Sequence, residues 1–298
     1  GIGYTIHNKA NQSKRIILIF SLMFLALLCY EVYSTPIYKK YTHFYENKIN
    51  RIDEDYSNNL LSINEYILKL TTIRDEIDKT IGKNNLEYVV STVELSEALY
   101  QNEQDNWFDI LLTARDFIPD DNFAIVYYNA KLAYAYYYKN DFKSANKICR
   151  DTIEISVNKN TEDVPFLSSL YALYCESYYV DEFIFLSTMK SDITKTLSFG
   201  YNFFASIPKP DTPIGQNDSI WQEIIKNEFK FYLYQIPIYA KCEDYNKCLE
   251  LILTIDNLYT EYPTIFSAYD IYSYINFINM SSHGVKTRSE EDTSELQS

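Results

Sequence analysis

The sequence predicts a mainly α-helical protein, and three observations carry that reading. Apolar residues recur at helical spacing, most plainly at Leu60, Leu61, Ile63, Ile67, Leu70, Ile73 and Ile77. The 6 glycines and the abundance of Tyr, Leu, Ile and Asn suit a folded helical chain. Near the start, residues 16–30 form an uncharged apolar run. With Val32 and Tyr33 it reaches the lower end of what crosses a bilayer at about 1.5 Å of rise per residue.

In chain order, residues 1–15 hold Lys9, Lys14 and Arg15 and no acid. The apolar run at 16–33 reads as an uncleaved transmembrane helix. A cleaved signal peptide would show small residues in an Ala-x-Ala arrangement, and a lipoprotein at Cys29 would not be preceded by the large Leu28. Glu31 then stands at the far interface, where Tyr30 and Tyr33 also suit the depth. The three basic residues set the topology and meet lipid head groups, placing the start in the cytoplasm. The chain is therefore expected to be a single-pass inner-membrane protein with its C-terminal domain exported to the periplasm. Lys39 and Lys40, on the far side, weaken that bias without reversing it.

Residues 38–81 read as one long amphipathic helix within a stalk spanning 34–85, broken by Gly82 with Asn84 and Asn85. From 86 to 281 the helices come in pairs. Leu132, Ala133 and Tyr136, then Phe142, Ala145 and Cys149, form a pattern similar to the tetratricopeptide repeat, in which small and aromatic residues let antiparallel helices pack closely. Tyr136, Phe142 and Ala145 recur 103 residues later as Tyr239, Tyr245 and Cys248. Looser copies run through Gln101, Trp107, Ile110 and Ala114, and through Tyr174, Ser177, Phe183 and Leu186. A proline-rich loop at 207–215 interrupts the series. Such hairpins need several units, because each alone cannot bury its apolar face. The resemblance implies a surface for peptides or partner proteins. The tyrosines, 30 in all, read as amphipathic packing surface, with a ligand-binding patch as the alternative.

The formal charge is −14. The first fifteen residues contribute +3 and the last eleven −3, so the stretch between them keeps the whole −14. An acidic domain of that kind repels phosphate backbones, so the visible bulk is not expected to touch nucleic acid. The segment at 288–298 resembles a translated sequencing adapter and is set aside. The chain opens on Gly1 rather than Met, and it reads as a fragment of something longer.

Chemistry is sparsely signalled. His7, His43 and His283 have no plausible catalytic Ser, Cys or carboxylate partner nearby in sequence, and no metal-ligand spacing or phosphate-binding glycine loop occurs. Paired acids such as Glu54 with Asp55 and Asp120 with Asp121 read as solvated turns and helix starts. No enzymatic activity, metal or cofactor is expected. Four cysteines remain in the exported part. Cys242 and Cys248 flank a turn between two helices, and Cys149 and Cys175 fall on successive helices. Each pair reads either as a disulfide in an oxidising compartment or as thiols filling packing positions.

Residues 1–6, Gly1-Ile2-Gly3-Tyr4-Thr5-Ile6, resemble the closing strand of an OmpR/PhoB-type winged helix, with Thr5 departing from the usual basic residue. That resemblance places Gly1, Gly3 and Tyr4 in the wing, beside the DNA backbone. The layout as a whole looks like the ToxR/CadC-like membrane-bound transcription regulators. It implies promoter DNA as a partner of a missing N-terminal domain, a membrane tether, a protein or small-molecule signal at the exported domain, and a homodimer. The competing readings are a membrane-anchored envelope scaffold that binds partner proteins, and the sensor half of a longer signalling enzyme such as a diguanylate cyclase.

Overall fold

A computed structural model describes residues 37–159, 164–180, 190–208, 219–242 and 244–266, with scattered positions from 270 to 279. Its contacts divide the chain into two compact units, residues 1–117 and 118–298.

In the first unit the chain folds as α1 (Ile37–Ser57), α2 (Ile63–Thr80), α3 (Leu86–Gln101) and α4 (Trp107–Leu112), closed by a 3₁₀ turn, Arg115–Phe117. Local polar groups decide where each helix begins. Ser62 and Glu65 form a reciprocal capping box: Ser62 Oγ accepts from the Glu65 amide, and Glu65 Oε2 accepts from the Ser62 amide at 2.8 Å. Asn85 Oδ1 accepts from the Tyr88 amide at 2.8 Å and starts α3. Gly82, at φ +83, turns the chain between α2 and α3 in a conformation that glycine adopts without strain. Tyr45 and Ile49 of α1 meet Ile73 and Ile77 of α2, and Tyr66 and Leu70 of α2 meet Leu95, Ala98 and Leu99 of α3.

The second unit comprises α5 (Asn122–Tyr138), α6 (Phe142–Lys159), α7 (Val164–Val180), α8 (Lys190–Ser206), α9 (Ser219–Leu233), α10 (Gln235–Lys241) and α11 (Tyr245–Glu261). Asp121 caps α5 by accepting from the Phe123 amide at 2.8 Å, the helix-start role its sequence position suggests. Helix α7 packs against α5, α6, α9 and α10, while α11 packs against α9 and α10. Of the repeat-like pattern, Leu132, Ala133, Ala145, Cys149 and Cys248 are buried, Gln101 is exposed, and Phe183 and Leu186 lie outside the described residues. Helices α9 and α10 are two parts of one bent rod. Pro237 has no amide hydrogen for a bond back to Leu233, so the rod breaks at Tyr234. Gln235 stitches the break, its Nε2 donating to the Phe231 carbonyl at 2.8 Å. Gly200 lets α8 approach closely, because a Cβ there would stand 2.4 Å from Phe231 Cζ.

Three expectations are corrected. The stretch expected as one long helix over 38–81 is a helical hairpin, α1 followed by α2. Asn59 takes a left-handed φ of 58, and the Leu60 and Asn59 amides donate back to the Asp55 and Tyr56 carbonyls, a Schellman closure that ends α1. The expected fold class, a membrane helix and a residual winged-helix strand joined to helical hairpins, is corrected to helical hairpins alone among the described residues, where no strand occurs. Nor is any helix among them long and apolar enough to cross a membrane, so a single-pass inner-membrane placement with an exported domain is not supported. The winged-helix strand at 1–6, the linker at 7–15, the helix at 16–33 and the tail at 288–298 lie outside the described residues.

Candidate functional site

In the second unit α5, α7 and α9–α10 bring one face together, because α7 packs against each of the others. On that face two tyrosine hydroxyls converge on a single carboxylate. Tyr137 of α5 donates to Glu176 Oε1 of α7 at 3.0 Å, and Tyr234, at the α9–α10 break, donates to the same oxygen at 3.2 Å. These partners are 39 and 58 residues apart in sequence. Helical spacing supplies the rest of the cluster. Tyr134, Tyr137 and Tyr138 share a side of α5, and Tyr179 follows Glu176 by three residues on α7. The Tyr179 and Tyr234 rings lie 5.6 Å apart at 35°, and the Tyr137 and Tyr138 rings 6.3 Å apart. Tyr138 is half exposed, while Tyr137, Glu176, Tyr179 and Tyr234 are partly buried. Burial pushes the Tyr134 hydroxyl well above its ordinary value, and Glu176, then the Cys149 thiol, then Glu223 of α9 push it the same way. The face thus combines hydroxyls, ring surfaces and negative charge.

Described residues also form concavities elsewhere. A trough of about 830 Å³ beside α6, α7 and α8 has Leu167, Tyr171, Phe199 and Phe203 in its wall, with Asn202 and Ser206 as polar groups. A smaller crevice holds Arg150, Asp151, Glu154 and Lys195, whose charges answer one another: Lys195 to Glu154 at 2.6 Å and Arg150 to Asp151 at 3.2 Å. In the first unit a groove of about 670 Å³ runs past Phe44, Leu68 and the Lys48–Glu76 ion pair.

Cys149, Cys175, Cys242 and Cys248 are all free thiols in this structure. Cys242 is exposed at the end of α10, whereas Cys248 is buried on α11 with its Sγ 3.5 Å from the Ile236 carbonyl oxygen. Burial pushes the Cys248 thiol up to about 11 and drives Cys149 and Cys175 higher still, so these three are inert packing groups at neutral pH. Among the described residues no group of His, Cys, Asp or Glu is placed to hold a metal ion. His7 and His283 lie outside those residues, as do Gly1, Gly3, Tyr4, Lys9, Lys14 and Arg15. Everything that pointed to promoter DNA and to a membrane partner falls in that undescribed start.

The Tyr137–Glu176–Tyr234 cluster escapes sequence reading because it is assembled by packing across three helices. Its one signal in the sequence is the excess of tyrosine.

No protein-family model matches the chain, and no curated protein matches it either. Among solved structures the chain is similar to two crystal structures of a Podosopora anserina putative kinesin light chain with nearly identical TPR-like repeats, one of them a variant. Both are 11% identical; the TM-scores are 0.49 and 0.48, covering 72% and 71% of this chain and 94% of each of those. Among the described residues nothing supports a winged helix or a ToxR/CadC-like transcription regulator.

Proposed function

We propose that this chain acts by binding a partner protein rather than by catalysis, as a module of stacked helical hairpins. The observation that carries the reading is the tyrosine–carboxylate face, which draws on three helices of the stack through the Tyr137, Glu176 and Tyr234 contacts. Hairpins stacked in series offer one side of successive helices as an extended surface, suited to a length of polypeptide. Tyrosine is an effective contact residue there. It supplies a large, rigid ring at little conformational cost and keeps a hydroxyl for hydrogen bonding.

The test is selection of peptides from a displayed random library on the full chain, followed by hydrogen exchange with and without the selected peptide. Slowed exchange in α5, α7 and α10 is the expected result. Protection confined to other helices, or no peptide enriched above background, would overturn the proposal.

A further inference from the structure

The geometry points to an arginine-bearing segment of the partner polypeptide as the occupant of the Tyr137–Glu176–Tyr234 face. This inference rests on the proposed binding role and adds the chemistry of what is bound.

Charge selects the sign of the ligand. The chain carries −14. On this face Glu176 is drawn in by two hydroxyls, and Glu223 acts on the same Tyr134 as Glu176 does. An acidic peptide or a phosphate backbone would meet repulsion there, whereas a cation is attracted from a distance and held on contact. The hydroxyls also fix where the carboxylate points. Both donate to Oε1, and a carboxylate accepts about four hydrogen bonds through its two oxygens, so acceptor capacity remains for an incoming donor.

Shape selects among cations. Tyr179 and Tyr234 set two rings 5.6 Å apart beside that carboxylate, and Tyr137 and Tyr138 set another pair on the α5 side. Ring faces attract cations, and a planar guanidinium can lie against a ring while its N–H groups reach the carboxylate. A lysine ammonium brings a point charge to the same place but cannot stack, and it gives up more hydration on entering. Arginine is therefore favoured over lysine, and its uncharged isostere citrulline should be refused.

The experiment uses the full chain and a short fluorescein-labelled arginine–serine repeat peptide, with lysine–serine and citrulline–serine counterparts, read by fluorescence anisotropy. The arginine peptide should bind about tenfold more tightly than the lysine peptide, and the citrulline peptide should not bind measurably. Glu176→Gln should weaken the arginine peptide about tenfold, and the exposed Glu223→Gln by a smaller factor of about three. Glu54→Gln removes the same unit of charge from the other unit and should leave affinity unchanged. Because Glu223 is exposed, its variant tests the idea even if Glu176→Gln disturbs the packing. Equal binding of arginine and citrulline peptides, or equal weakening by the Glu223 and Glu54 variants, would overturn the inference. If library-selected peptides still protect α5, α7 and α10 while the arginine peptide fails, the binding role stands and the arginine preference falls.

Discussion

The two units bury their apolar faces by different means. In residues 37–117 the buried contacts include small clusters where α1, α2 and α3 meet: Tyr45 and Ile49 with Ile73, Ile77 and Tyr88 in one, Tyr66 and Leu70 with Leu95, Ala98 and Leu99 in another. Caps and turns define that unit, namely the Ser62–Glu65 box, Asn85, Gly82 and the closure at Asn59. In the second unit one continuous cluster runs from Val126 to Phe266. It is aromatic at its centre, where Tyr171, Phe204, Phe231 and Tyr232 pack ring against ring at 5.2 to 6.4 Å. Buried amides tie it across the helices: Asn146 donates to the Tyr174 carbonyl and to Ser177 Oγ, and Asn227 donates to Ser168 Oγ. The contrast teaches where each unit is vulnerable. A unit closed by local turns responds to backbone changes, and a unit closed by interlocked rings responds to changes of volume.

The largest effect should come from Gly200→Ala. Helix propensity alone would favour alanine by about 1 kcal/mol. Against that, the new methyl would stand 2.4 and 2.6 Å from Phe231 ring carbons and 3.1 Å from Tyr171 Cδ1. Phe231 is fully buried and hemmed by Phe204, Tyr201 and Tyr232, so its ring has nowhere to turn. Overpacking of this kind costs about 2–3 kcal/mol and outweighs the propensity gain. Urea unfolding should show the loss, and hydrogen exchange should accelerate in α7, α8 and α9. Unchanged stability would mean that the aromatic seam is more yielding than its ring contacts indicate.

The helical class was legible because Leu70, Ile73 and Ile77 fall at helical spacing, and all three are buried as that spacing requires. Leu132, Ala133, Ala145 and Cys149 were legible for the same reason: small and apolar residues sit where helices touch. The hairpin within the expected stalk was not. Its turn is made by Asn58, Asn59, Leu60 and Leu61, with no Gly or Pro, and the two leucines continue the apolar pattern although Leu60 is largely exposed. Similar closures occur at Glu103 and Asn140, with φ values of 55 and 59. A chain poor in glycine conceals its turns in asparagine and even glutamate. The carboxylate face was hidden for another reason. Tyr137, Glu176 and Tyr234 have no local relation to one another, so only the packing of α5, α7 and α9 makes them a site.

Glu103 offers a smaller effect, of opposite sign. It ends α3 with a left-handed φ of 55, while the Gln104 and Glu103 amides donate to the Leu99 and Tyr100 carbonyls at 2.9 and 3.0 Å. A side chain in that region is strained, and glycine is the residue that most often fills it. Its side chain is exposed. Glu103→Gly should therefore stabilise the first unit by about 1 kcal/mol, read as a higher urea midpoint with an unchanged slope. A loss of stability would show that the first unit depends on side-chain contacts at its turns, as the second does throughout.

The smallest effect concerns the polar contact inside the first unit. Tyr66 donates to Asp53 Oδ1 at 2.8 Å, bridging α1 and α2. Partial burial raises the Asp53 carboxyl above its ordinary 3.8; the bond from Tyr66 lowers it and the charge of Glu97 raises it further. A raised carboxyl means that the folded state holds the proton more tightly than the unfolded state does. Its contribution to stability is then greatest below 3.8 and is lost as pH rises through the folded value. Asparagine keeps an oxygen for Tyr66 and has no charge to desolvate. Asp53→Asn should exceed the parent chain in stability at neutral pH, and the gap should close as the medium is made more acidic than 3.8. Urea midpoints measured on both sides of that value decide the matter. If Asp53→Asn is instead the weaker protein at neutral pH, the charged bond to Tyr66 outweighs the desolvation, and the first unit shares with the second a dependence on polar ties between its helices.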